Sequence, residues 1–588
     1  MQKLAFSIVC LLLVQFLNAQ NVWSDKVSPL VLESVERGGK TDVLVAFHGR
    51  ADLSAAAQIK GKNAKADFVY NALLSLAQER QQRAVARLRA ENAHLNSIWL
   101  VNALAVGQAD AATIQWLAEL PEVRAIAPDP AIALDYETAD PLLSASRDGI
   151  EWGVSRINAP MVWAMGFTGQ GITIGGADTG YEWQHPAIKG HYRGYNALTD
   201  TINHNYNWFD AISGPTPLNG DSLNPCGYNT PAPCDDNSHG THTMGTMAGD
   251  DGQGNQIGVA PGSKWVACRN MERGNGTPST YLGCFQWFLA PTDVKGENAN
   301  PARAPHVINN SWYCSTGEGC TDVTVDDLLR QAIIALKASG VFVVVSNGNF
   351  GGGGCNTTYG PPAYFEESFS IGATRDDDRI AGFSSRGPVT IDASNRIKPN
   401  VSAPGQGIRS SVPGGAYANF SGTSMSGPHV AGLVALVLSA NPDLIGEVAT
   451  VEQIIQQTAR FSADTFGCTL DPQARPNNTY GWGIVDARAA VERAIAQSAV
   501  NQPDITSPLV TFSPNPARTT VQFTVTSEGG RLRLQLMDAT GRVVRSLERQ
   551  EAPGTALVPL SVEGLPAGVY VWTVFVGQAQ SSGKIVVR

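Results

Sequence analysis

At 588 residues the chain exceeds one ordinary domain, and its length predicts about three or four. Apolar residues make up 43% and charged residues 16%, enough to bury sizeable cores, while 60 Gly and 34 Pro show no collagen period; a largely disordered chain and a fibrous rod are both excluded. A net charge of −10 without any long Lys/Arg run speaks against nucleic acid and anionic membrane surfaces as partners.

The first twenty residues read as an address. A short charged start, Met1-Gln2-Lys3, precedes a mostly apolar stretch over 4–17, and Asn18-Ala19-Gln20 offers a small-residue cleavage site. A signal peptide over 1–20 is expected, with an exported, soluble mature protein. No other apolar run nears the roughly 18 residues of a membrane span. Nine cysteines fit export: Cys10 leaves with the leader, and the remainder is an even set that predicts disulfides. Cys226/Cys234 and Cys314/Cys320 are the short-range closures, though sequence leaves the connectivity open. Zinc is the competing use, and the lack of a CxxC pair or a suitably spaced His argues against it.

Residues 21–138 predict a small α+β unit, with strands at 42–47, 97–105 and 123–127, a long amphipathic helix over 66–89 and a short one near 112–119. A polar stretch over 135–147 reads as a linker. From about 150 to 498, strands alternate with helices. Strands are expected at 171–177, 264–267, 307–310 and 341–345, with a helix over 325–338 whose apolar residues are Leu328, Leu329, Ile333, Ile334 and Leu336. That β-α-β order predicts a mainly parallel sheet with right-handed crossovers. Residues 506–588 switch to strict alternation, at 521–525 and 532–536, with further strands at 569–576 and 584–587; Asp538-Ala539-Thr540-Gly541 supplies a turn, and a small antiparallel β-sandwich follows.

Three segments of the α/β unit carry chemistry. Asp178-Thr179-Gly180 puts a carboxylate at the C-terminal end of a buried strand, where open parallel sheets place functional groups. Read alone, it could be a turn Asp. His239-Gly240-Thr241-His242 opens a helix of small residues; an HxxH pair lacking the Glu and third ligand of zinc proteases is weak, and His242 reads as a packed histidine. Gly422-Thr423-Ser424-Met425 puts a serine where a Gly-flanked turn feeds an apolar helix, favourable for an anionic intermediate, although an ordinary N-cap has the same look. Together, Asp, His and Ser in this order form a nucleophilic triad.

With Pro428-His429, Ile397-Lys398-Pro399 and Ala403-Pro404-Gly405 added, residues 150–495 closely resemble the subtilisin-like serine peptidases, or subtilases, of the bacillopeptidase F-like kind. The resemblance implies a three-layer α/β fold over 139–498 and a secreted endopeptidase working through an acyl-enzyme. It gives Ser424 the role of nucleophile, His239 that of general base and acid, and Asp178 that of orienting carboxylate. Asn349 becomes the oxyanion donor, with Asn347 a lesser candidate, and Ser424 N–H the second donor. Substrate would run along Ser311-Trp312 and Ser346-Asn347-Gly348 as an added strand. Where subtilases have small residues, this chain has Trp312-Tyr313-Cys314, which alters the cleft; Ser426 replaces a commoner alanine.

Residues 21–138 resemble an inhibitor-type propeptide, removed near 136–150, that assists folding and blocks the cleft. Residues 506–588 resemble the C-terminal sorting domain of type IX secretion substrates, through Ser513-Pro514-Asn515-Pro516-Ala517, the 564–570 segment and the final Lys584 to Arg588. That implies a Gram-negative source, release or attachment outside the cell, and the secretion machinery as partner; an accessory binding sandwich is the plainer reading. No cofactor is required for the chemistry. Structural calcium is allowed, with Asp235-Asp236 and Asp376-Asp377-Asp378 acidic enough to contribute and no ligand assigned. A monomer acting on protein or peptide substrates is expected, and the rival is a catalytically silent subtilase-fold binding protein.

Overall fold

Seven short runs of apolar and small residues build one parallel sheet in the computed structural model, which describes residues 23–133 (except 37), 149–501 (except 217, 218, 220–223, 315–319 and 321) and 509–588 (except 528, 539, 540 and 578). The leader expected at 1–20 and the linker at 135–147 lie outside the described residues. The chain divides into two compact units, 1–495 and 496–588.

The strands are β1 (Thr173–Asp178), β2 (Trp208–Asp210), β3 (Lys264–Arg269), β4 (Val307–Asn310), β5 (Phe342–Ser346), β6 (Phe369–Thr374) and β7 (Val401–Pro404). They lie in the order β2-β3-β1-β4-β5-β6-β7, every pair parallel. Four helices matter for the site: α1 (His239–Ala248), α2 (Pro278–Leu289), α3 (Val323–Ala338) and α4 (Thr423–Ala440). One face of the sheet packs on α1 and α4, the other on α2 and α3, so two apolar clusters sandwich it. The three-layer expectation holds.

Differences are local. Ile334, counted with the apolar face of α3, is exposed, while Ala332 and Ala335 are buried. The strand expected at 97–105 is two, Leu95–Ile98 and Ala103–Ala109, because Asn102 takes a left-handed φ of 51° and ends a turn there. The long helix begins earlier, at Lys62, because the lysines of its polar first turn are bound by the α/β layer rather than by water.

That first module is a four-stranded antiparallel sheet in the order Leu95–Ile98, Ala103–Ala109, Thr41–Phe47, Val123–Pro128. The unbroken run Val43-Leu44-Val45-Ala46-Phe47 is buried on both faces. Successive strand side chains point opposite ways: Val43, Val45 and Phe47 face the module's own helices, while Leu44 and Ala46 join the cluster of Tyr281, Phe285 and Leu329 on α2 and α3. Polar contacts rim this apolar contact. Leu100 N donates to Gln286 Oε1 at 3.1 Å, Lys65 Nζ pairs with Glu447 at 2.8 Å, Lys62 Nζ donates to Ala304 O at 2.9 Å, and Arg50 and Arg124 share Asp327. Beyond it, Ile132–Ala133 pairs antiparallel with Asn275–Gly276.

The second unit, taken by itself, is an antiparallel sandwich of a three-stranded and a four-stranded sheet closed over Phe523, Leu534, Val558, Trp572 and Ile585.

Four disulfides occur among the described residues: Cys226–Cys234, Cys268–Cys284, Cys314–Cys320 and Cys355–Cys468, separated by 8, 16, 6 and 113 positions. Both short-range closures read from the sequence are present. In the chain-entropy account, closing the longest loop contributes about 5 kcal/mol and the shortest about 2. Replacing both Cys355 and Cys468 by Ser should therefore lower the urea midpoint far more than the same change at Cys314 and Cys320. Equal losses would contradict that account.

Candidate active site

β1 runs toward the C-terminal edge of the sheet and ends on Asp178, a fully buried carboxylate. Three groups hold it. Thr179 N donates to Oδ1 at 2.8 Å, Thr243 Oγ1 donates to Oδ2 at 3.2 Å, and His239 Nδ1 lies 2.7 Å from Oδ1. His239 is the first residue of α1 and is likewise fully buried. The helix reaches so close to β1 because it is glycine there: a Cβ on Gly240 would sit 2.0 Å from Gly180 O.

Asp235 fixes the join between these two elements. Its carboxylate accepts from Thr179 Oγ1, from the N–H groups of Asn237, Ser238 and Thr241, and from Thr241 Oγ1 at 2.6 Å. Burial pushes its pKa upward against those donors. The sequence offered Asp235 as a calcium contributor. The readable signal for its place at this join was an Asp just ahead of a helix start, with Thr241 in the first turn.

Ser424 is the second residue of α4, which packs against α1. Its Oγ donates to Ser311 O at 3.2 Å; in return Ser311 Oγ donates to Ser424 O at 2.9 Å and accepts from Asn309 Nδ2 at 2.8 Å. The serine thus stands at the positive end of a long helix. Asn349 follows β5. Its Oδ1 accepts from Thr423 N and Thr423 Oγ1, both at 2.9 Å, which turns the amide nitrogen toward the open side of Gly422. A Cβ on Gly422 would lie 3.6 Å from both Asn349 Nδ2 and Ser424 N. Asn349 Nδ2 and Ser424 N therefore border one small space beside the hydroxyl, an arrangement able to donate to an anion placed there.

The residues expected to line a cleft divide. Ser311 touches Ser424, and Gly348 N donates to Thr423 Oγ1 at 3.2 Å, held in a left-handed φ of 98°. Asn347 does not present its side chain: Nδ2 donates to Thr358 Oγ1 and Ser385 O inside the protein. Ser346 ends β5 and is buried. The Trp312 ring stacks on Tyr281, with centroids 3.8 Å apart, in the layer beneath, so of this position it is the backbone that the expected strand pairing concerns. The ring's apolar area outweighs any gain from facing water. Missed from the sequence is Asn275–Gly276, the edge that Ile132–Ala133 occupies. Its only hint was the Gly274-Asn275-Gly276 run ahead of a Thr-capped helix.

His242 is packed as expected. It stacks on Phe420 at 4.3 Å, with Nε2 against Ile408 O and Ala418 O. Ser426 Oγ is satisfied by Thr423 O. The acidic runs are engaged by protein donors: Asp236 by Arg269, Arg273 N and Asn224, and Asp378 by Arg156 and Arg460. Among the described residues no group of three or more His, Cys, Asp or Glu could hold a metal ion.

Residues 169–483 match the family model described as the subtilase family, and residues 511–588 match that of a secretion system C-terminal sorting domain. The chain is 36% identical over 501 residues to Bacillopeptidase F of Bacillus subtilis, covering 79% of this chain but 32% of that protein. It is 27% identical over 370 residues to Subtilisin E of Bacillus subtilis, and 30% identical over 370 residues to an alkaline protease of Alkalihalobacillus alcalophilus. Those alignments cover 63% of this chain, and 78% and 76% of the two relatives. The C-terminal sandwich is a type IX sorting domain, and the protein's destination is the cell surface or the medium.

Buried histidines make the fold sensitive to acid. Burial lowers the pKa of His242 to about 3, with His239 adding to the effect, and that of His429 to about 4. The unfolded chain protonates these groups near 6.5, so the folded state binds fewer protons as pH falls below that value. Their contribution is complete above about pH 6.5 and is lost on acidification toward pH 4, each at up to about 1.4 kcal/mol per pH unit. Asp210 opposes them: burial raises its pKa to about 6, so its contribution is lost as pH rises through that range. His306, likewise lowered to about 4 by burial, joins the histidines, and Asp129, likewise raised to about 6, joins Asp210. Three histidines stand against two carboxylates, and the urea midpoint should fall between pH 6.5 and 4.5. His429→Gln should make the fall shallower. A flat profile would contradict the assignment.

Proposed function

The chain belongs to the subtilase family, and we propose that it is a secreted serine endopeptidase hydrolysing peptide bonds of protein substrates through an acyl-enzyme. One arrangement carries the reading: a buried imidazole 2.7 Å from a buried carboxylate, on a helix packed against the one that bears Ser424.

In this reading Ser424 Oγ attacks the scissile carbonyl and His239 takes the hydroxyl proton at Nε2. The same proton then passes to the leaving amine, and water repeats the sequence on the acyl-enzyme. Asp178, accepting at Nδ1, fixes the tautomer and stabilises the imidazolium. The donors from Thr179 and Thr243 hold its two oxygens in place without exposure to water. Asn349 Nδ2 and Ser424 N receive the oxyanion. The substrate runs as an added strand along Asn275–Gly276 and past Ser311.

The N-terminal module, 21–138, is proposed as an intramolecular inhibitor. Support comes from Ile132–Ala133, which already takes the strand position on Asn275–Gly276, and from the alternate burial of strand Thr41–Phe47 against α2 and α3. Residues 1–20 serve as signal peptide, 139–498 as the peptidase proper and 506–588 as the sorting domain, in a monomer.

Wild type and Ser424→Ala should differ in two readouts. Wild type is expected to shorten itself near 136–150 by intact mass and to digest casein, whereas the variant does neither. Equal digestion by both would remove Ser424 from the chemistry. Asn349→Ala should lower kcat by about 10²–10³-fold with little change in KM. A fall seen in KM alone would deny it the oxyanion role.

A further inference from the structure

β4 and β5 are neighbours in the sheet, and the segments leaving their C-terminal ends carry Ser311 on one side and Asn349 on the other. The gap between those segments lies directly beside the carbonyl to be attacked, if the peptidase reading holds. It must therefore receive the side chain on the acyl side of the scissile bond.

In this chain the gap is built from aromatic rings. Tyr313 follows Ser311 by two positions, and its ring centroid lies 4.8 Å from that of Phe350, the residue after Asn349. Phe350 in turn lies 5.4 Å from Tyr359. The Tyr313 ring rests on the bare backbone of Gly360, where a Cβ would come within 1.9 Å of Tyr313 Cε2. The ring therefore occupies the space that a side chain at 360 would need. Cys314 N donates to Pro361 O at 2.9 Å, joining the two walls at the floor, and the Cys314–Cys320 disulfide anchors the segment that carries the ring. Tyr313 is 7% exposed, so its ring is almost wholly covered by these neighbours.

We propose that Tyr313, seated on Gly360 and backed by Phe350, fills this recess and restricts the enzyme to substrates with a small residue, Gly, Ala or Ser, on the acyl side of the cleaved bond. Close-packed interiors resist added volume, and a single methylene in an apolar pocket changes kcat/KM by about 10–200-fold. A Leu or Phe side chain adds several carbons to a space already taken. An aromatic wall with room beside it would do the reverse and favour a stacked aromatic residue; the seating of the ring on Gly360 decides for occlusion.

The test uses the mature enzyme and three fluorogenic tetrapeptide amides that differ only in an acyl-side Ala, Leu or Phe. Rates are normalised to Ser424 titrated with a fluorophosphonate. Wild type should prefer Ala to Phe by at least about tenfold in kcat/KM. Tyr313→Ala should raise the Phe/Ala ratio at least about tenfold, and Tyr313→Phe, which keeps the ring, should leave that ratio as in wild type. If Tyr313→Ala yields no titratable serine, Phe350→Ala removes the backing ring and should shift the ratio in the same direction. A wild type that takes Phe as readily as Ala, or a ratio unmoved by these variants while Ser424 still titrates, overturns the pocket assignment alone. A wild-type Ser424 that never reacts with the phosphonate overturns the peptidase reading, and the proposal falls with it.

Discussion

Asp178 is a carboxylate removed from water, and the surrounding unit is arranged around that constraint. A buried anion is tolerable only when charge-assisted hydrogen bonds replace its hydration. Thr179, Thr243 and His239 supply them here, from the turn after β1 and the first turns of α1. The two from α1, His239 and Thr243, depend on that helix lying hard against the C-terminal end of β1. Gly240 permits that approach, and the five donors gathered by Asp235 fix it. Stability and reactivity meet in one cluster: the groups that make the carboxylate bearable also hold the imidazole in a single orientation.

The same sheet edge positions everything else. β4 and β5 deliver Ser311 and Asn349 side by side, and α4 brings its N-terminus to both. Thr423 ties the helix to Asn349 and Gly348, so Ser424 and the Asn349 amide belong to one hydrogen-bonded frame. The first module exploits the opposite layer. The run Val43-Leu44-Val45-Ala46-Phe47 of its first strand has no solvent face, because α2 and α3 cover what its own helices leave open.

Much of this was legible in the sequence where chemistry or periodicity leaves few choices. Asp178, His239 and Ser424 stood out because each sits among small residues at an element boundary, whereas Asn349 was legible only through the resemblance to subtilases, with Asn347 as the lesser candidate. The parallel sheet showed in runs such as 307–310 and 341–345. Shorter strands did not: Trp208–Asp210 spans three residues and Val401–Pro404 carries a serine and a proline, so only their neighbours make them strands. Side-chain direction was equally hidden. Trp312 and Asn347 lie in the expected segments, yet one ring goes to Tyr281 and one amide to Thr358, because core contacts offered each more than the cleft. Asn275–Gly276 could be found only by seeing what pairs with it, and the seating of Tyr313 on Gly360 joins residues far apart in the chain.

The central claim is that Asp178, through His239, makes Ser424 a nucleophile. The rate at which a fluorophosphonate modifies Ser424, located by peptide mass, tests it without needing a natural substrate. Asp178→Asn, checked by circular dichroism for an unchanged fold, should react about 10⁴-fold more slowly than wild type. Equal rates in the two proteins would contradict the account.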